Sequence, residues 1–78
     1  MIKKCIEKLL NRQLKTVETY SSIIEGAVAN GNKELNEEYR HKLRGYLTCL
    51  VDNEAITEME LRSLYLWYAC DRYSLKCR

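Results

Sequence analysis

The sequence has no proline, no β-alternating run, no internal repeat and no low-complexity tract. Together those absences leave helices divided by short polar turns. No apolar run approaches membrane-spanning length, and Glu7, Lys8 and Arg12 break the apolar stretch that a leader would need in "MIKKCIEKLLNRQLK". A cytoplasmic chain that does not enter a membrane is expected. There is one histidine, His41, and the four cysteines, Cys5, Cys49, Cys70 and Cys77, include no close CxxC pair. A tetrahedral zinc site therefore has no paired ligands to start from, and without an export signal the even cysteine count reads as reduced, buried thiols. No metal and no cofactor are expected.

What is present suits one small domain over 1–78. A chain of 78 residues buries only about three-fifths of the surface its unfolded form exposes, so its core is thin. With 46% hydrophobic and 31% charged residues it has the composition of a globular protein. Thirteen Lys and Arg against eleven Asp and Glu leave +2. That balance is too small to imply nucleic acid or an anionic membrane from bulk electrostatics.

The chain divides at "ANGN" and "DNEAIT". In the first segment Ile2, Ile6, Leu9, Leu10, Val17, Tyr20, Ile24 and Val28 recur at helical steps and form one broad face. Gly31 after Asn30 reads as a left-handed C-cap, and Asn32 as the N-cap of the next helix. There Leu35, Tyr39, Leu43, Tyr46, Leu47 and Leu50 share a face, with Glu37, Arg40, His41 and Arg44 turned away. Gly45 is either a solvent-side glycine or a kink or a point of close approach by a partner backbone. Thr57-Glu58-Met59-Glu60 has capping-box spacing, with Ile56 and Leu61 placed for a hydrophobic staple. The predicted architecture is an all-α, mainly antiparallel three-helix bundle with short loops, its helices over about 2–29, 33–51 and 57–77.

The third helix carries more apolar surface than one stripe needs. Leu61, Leu64, Tyr65, Tyr68 and Leu75 make an inward stripe; Met59, Leu66, Cys70, Tyr73 and Cys77 make a second row roughly opposite. Either the small bundle encloses both rows, or the second row is a binding surface; a thin core favours the latter. The expected partner-binding residues are Met59, Arg62, Leu66, Trp67, Arg72 and Tyr73, with the arginines at the rim. A protein partner is the first expectation, and a homodimer would satisfy the same surface.

A second expectation is nucleic acid, held by the row Lys4, Lys8, Arg12 and Lys15 along the first helix. No aromatic residue interleaves that row, so it is electrostatic rather than base-reading. An enzyme is not expected. His41 lies beside Arg40 and Arg44 with no carboxylate partner evident from sequence, no cysteine sits in an activating signature, and so short a helical chain seldom encloses a pocket.

The stretch "LRGYLTCLVDNEAITEMELRSLYLWY", Leu43 to Tyr68, resembles short helical proteins encoded by bacteriophages and mobile elements of Gram-positive bacteria, among them small anti-CRISPR inhibitors. The resemblance covers about a third of the chain and rests on size, two helices around a capped turn and an aromatic third helix. It implies a class of non-enzymatic proteins that occupy a surface on a larger host protein, and it carries over no functional residue. Some members mimic DNA with acidic faces; this slightly basic chain departs from that type.

Overall fold

A computed structural model describes residues 2–71, apart from the side chain of Asp71, so Arg72, Tyr73, Leu75 and Cys77 lie outside the described residues. The chain is an all-α bundle: α1 (Ile2–Glu7), α2 (Asn11–Ala29), α3 (Lys33–Asp52) and α4 (Glu58–Leu66), with α4 running into a π turn at Trp67–Asp71. The turn between α2 and α3 returns the chain so tightly that the two helices pair as an αα-hairpin, the largest helix contact in the bundle.

The turns that end α2 and α3 close by the same backbone device. Gly31 sits at φ +69°, while Asn32 N–H donates to the Ala27 carbonyl at 2.9 Å and Gly31 N–H to that of Val28 at 3.2 Å, the paired bonds of a Schellman motif. Asn32 then caps α3, its Oδ1 accepting from Leu35 N–H at 3.1 Å. At the end of α3, Ala55 N–H donates to the Leu50 carbonyl and Glu54 N–H to that of Val51, both at 2.9 Å. Here the left-handed position, φ 61°, falls on Glu54 rather than on a glycine. Gly45 is exposed, and a Cβ there would meet nothing within 4 Å. Gly45 therefore lies on the solvent side of a continuous α3, and no other described element of the fold approaches it.

The helix expected over 2–29 is two helices. Lys8 and Leu9 close α1 with N–H bonds to the Cys5 and Ile6 carbonyls at 3.3 and 3.1 Å. Leu10 is extended, at φ −68° and ψ 155°, and donates its N–H to Gln13 Oε1 at 2.9 Å. Leucine has no side-chain acceptor, so this is only the returning half of a capping box. The break has a packing cause. An unbroken helix over 2–29 would run about 42 Å, whereas α3, its partner, reaches about 30 Å. Folding back at residues 8–10 lays α1 against α4 instead and buries Cys5 and Leu9.

The core is one cluster. Val17, Ile24, Leu43, Leu47 and Leu64 are fully shielded and are joined by Cys5, Leu9, Leu50, Ile56, Tyr68 and Ala69. Tyr20 packs against Tyr39 and Tyr46 with ring centroids 5.9 and 6.3 Å apart. Three sequence assignments change. Leu10 and Val28, expected on the inner face, are exposed. Arg40, expected to turn away, is half-buried, with Nε donating to Asn36 Oδ1 at 2.6 Å and Nη1 to Cys70 Sγ at 3.4 Å. Of the expected buried thiols, Cys5 is buried, Cys70 intermediate and Cys49 exposed.

The π turn is the other departure from a regular third helix. Tyr68 and Ala69 are both buried, although adjacent residues on an α-helix point about 100° apart; the wider turn, closed by i→i+5 bonds, accommodates both. It packs on α2, where the fully buried Ser21 donates its hydroxyl to the Tyr68 carbonyl at 2.6 Å. That bond satisfies the hydroxyl of Ser21, a polar residue set among the apolar side chains of the buried described residues.

Candidate protein-binding face

Capping decides how α4 is presented. Thr57 Oγ1 accepts from Glu60 N–H at 3.2 Å, and Glu60 Oε1 accepts from Thr57 N–H at 2.8 Å, the complete capping box. The other carboxylate oxygen of Glu60 lies 2.7 Å from Lys8 Nζ. One side chain therefore both starts α4 and ties it to the end of α1. The Lys8 ammonium, then the Thr57 N–H, hold the Glu60 carboxyl below the usual carboxylate range.

With α4 fixed in this way, its inner face carries Leu64, fully buried, and half-buried Leu61 and Tyr65 packed against the core. The opposite face is open. Met59 is 78% and Leu66 53% exposed. Seven positions apart on a helix, they lie within about 20° of each other around its axis. Arg62, exposed between them, belongs to the same strip. Of the residues expected to bind a partner, the fold thus brings Met59, Arg62 and Leu66 onto one face. Trp67 stands apart, partly buried against the core at the start of the π turn. Arg72 and Tyr73 lie outside the described residues.

Shallow open grooves flank the strip. On one side α3 and α4 enclose about 270 Å³ lined by Arg44, Leu61, Arg62, Tyr65 and Leu66. This groove shares Arg44, Leu61 and Arg62 with a more polar stretch that ends at Asp52 and Glu58. On the other side α1 and α4 enclose about 280 Å³, with Lys4, Cys5 and Lys8 facing Met59, Glu60 and Ser63. Arg44 is the contributor that sequence reading assigned to a solvent face. Its position next to Leu43, on the flank of the apolar stripe of α3, is the signal that could have placed it beside α4.

The basic row does not exist as a ladder on one helix. Lys4 lies on α1, Lys8 in the break, and Arg12 and Lys15 on α2; all four are exposed, but Lys8 is engaged by Glu60. Among the described residues no three of His, Cys, Asp and Glu gather closely enough to share a metal ion, and no helix is long and apolar enough to cross a membrane. No protein-family model, curated protein or solved structure matches the chain, so the face described here stands on its own geometry.

Proposed function

We propose that this chain is a non-enzymatic protein-binding module that occupies a surface of a larger partner through the outer face of α4. The observation that supports this reading is the exposure of Met59 and Leu66 on one side of a helix whose other side carries the sealed Leu64. Arg62 lies within that side, and Arg44 and Lys4 line its flanking grooves. Arg62 thus sits at the middle of the strip and not at its rim, and arginine set among exposed apolar side chains is common at contact surfaces. The resemblance of residues 43–68 to small phage-encoded inhibitors extends the reading to a kind of partner: a bacterial defence protein of the CRISPR type, blocked in the host cytoplasm by occupancy rather than by chemistry.

The test compares tagged wild-type protein with the pair Met59→Ser and Leu66→Ser for the protein that copurifies from a bacterial host carrying such a defence system. Light scattering gives the mass of the complex, and circular dichroism with thermal melting serves as control. The pair of substitutions is expected to abolish capture with melting nearly unchanged. Full retention of the partner, or unfolding of the kind a core variant shows, refutes the reading.

A further inference from the structure

We infer that the groove between α3 and α4 receives an acidic amphipathic segment of the partner, a short helix or turn with apolar side chains flanked by carboxylates. This inference rests on the binding reading above and adds the chemistry of the ligand. Its basis is the disposition of charge around an apolar cleft. Leu61, Tyr65 and Leu66 line the groove, and among the described residues its charged lining is Arg44, from α3, and Arg62, from α4. Neither arginine is a partner in the ion pairs Lys8–Glu60 and Lys42–Glu38 of the described residues. Two guanidiniums beside an apolar cleft suit a ligand that brings both a side chain for the cleft and carboxylates for its edges. The more polar continuation of the groove ends at Asp52 and Glu58. The acidic part of the ligand therefore lies toward Tyr65 and Leu66, and the part passing Glu58 is neutral or basic.

Charge also argues against a second copy as occupant. Arg62 lies midway between Met59 and Leu66 on the exposed strip, so pairing α4 with itself across a two-fold axis, in parallel or in the antiparallel register that sets Met59 against Leu66, brings Arg62 close to its own copy. No acidic residue is among the described residues that line this part of the groove; Asp52 and Glu58 line only its polar continuation. Phosphates would match the arginines but leave the apolar wall unused.

The probes are three synthetic amphipathic helices with leucines at helical spacing and flanks of glutamate, glutamine or lysine, followed by fluorescence anisotropy and by backbone amide shifts of the full chain. The glutamate peptide is expected to bind about tenfold more tightly than the glutamine one at low salt, and this advantage should fall as salt rises. Amide shifts should centre on Arg44, Leu61, Arg62, Tyr65 and Leu66. Reversing both exposed arginines, Arg44→Glu with Arg62→Glu, should transfer the preference to the lysine peptide, an inversion that a merely structural role would not produce.

Equal binding of the glutamate and glutamine peptides, shifts centred elsewhere, or no binding by any peptide overturns the acidic ligand. So does a mixed-sequence DNA duplex that shifts the same amides more strongly, or a concentration-dependent dimer lost on Leu66→Ser. The binding face fails separately, when the Met59→Ser and Leu66→Ser pair leaves partner capture intact.

Discussion

Leu64 and Leu66 are two positions apart on α4, yet truncating them should have very different costs. Leu64 is fully buried, and Leu→Ala at such a site costs about 2–5 kcal/mol from lost transfer free energy and the cavity left behind. Leu66 keeps 53% of its surface in water. About half of the 1.5–3 kcal/mol that full burial of a leucine contributes is then available to lose, and alanine's slightly better helix propensity offsets part of it. Leu66→Ala should therefore cost about 1 kcal/mol or less. For a chain this size 1 kcal/mol moves the melting temperature by about 4–8 °C. On the same basis Leu64→Ala should lower it by about 8–40 °C, while Leu66→Ala shifts it by about 8 °C or less. Urea unfolding by circular dichroism at fixed protein concentration gives both values, and the slopes check that each variant still unfolds in one step. Equal losses would mean that Leu66 is packed as tightly as Leu64 in solution, and the two-sided description of α4 would be wrong.

Glu54 occupies a left-handed backbone position, φ 61°, that favours glycine; Glu54→Gly should raise unfolding free energy by about 1 kcal/mol, and a decrease would show that its side chain contributes more than its backbone costs. Ser21→Ala removes the buried 2.6 Å bond to the Tyr68 carbonyl and should cost about 1 kcal/mol in urea unfolding; an unchanged midpoint would mean that the π turn does not depend on that bond. The folded-state pKa of Glu60 is lowered, so its contribution is present above the unfolded value of 4.5 and is lost as pH falls through the lower folded value. Urea midpoints of the wild type should therefore drop more steeply below that pH than those of Glu60→Gln, and parallel profiles would remove the Lys8–Thr57–Glu60 link as a determinant of stability.

Where the sequence reading succeeded, the determining physics is local. The Asn32 cap, the left-handed Gly31 and the Thr57–Glu60 box each depend on residues within a few positions of one another, and each forms as their spacing implies. The inner stripe of the last helix was legible through Leu64 and Tyr68 because hydrophobic periodicity reports the buried face directly. The outer strip was legible in part: a chain of this length has too little surface to wrap a helix, and Met59 and Leu66 remain in water, whereas Cys70 of the same expected row packs half-buried against the core.

Sequence by itself determined that the chain is helical, where α3 and α4 begin, and that α4 has two apolar sides, because propensity, capping and periodicity act over one or two turns. Only tertiary structure decided that the first helix breaks at residues 8–10, that Ser21 donates to Tyr68 across the bundle, that Arg40 turns inward to Cys70, and that Arg44 stands beside Arg62. No proline or glycine marks the break; it follows from the mismatch between a long first segment and a shorter partner helix. The other three bring together groups far apart in the chain, whose approach is set by how the helices pack and not by any local preference.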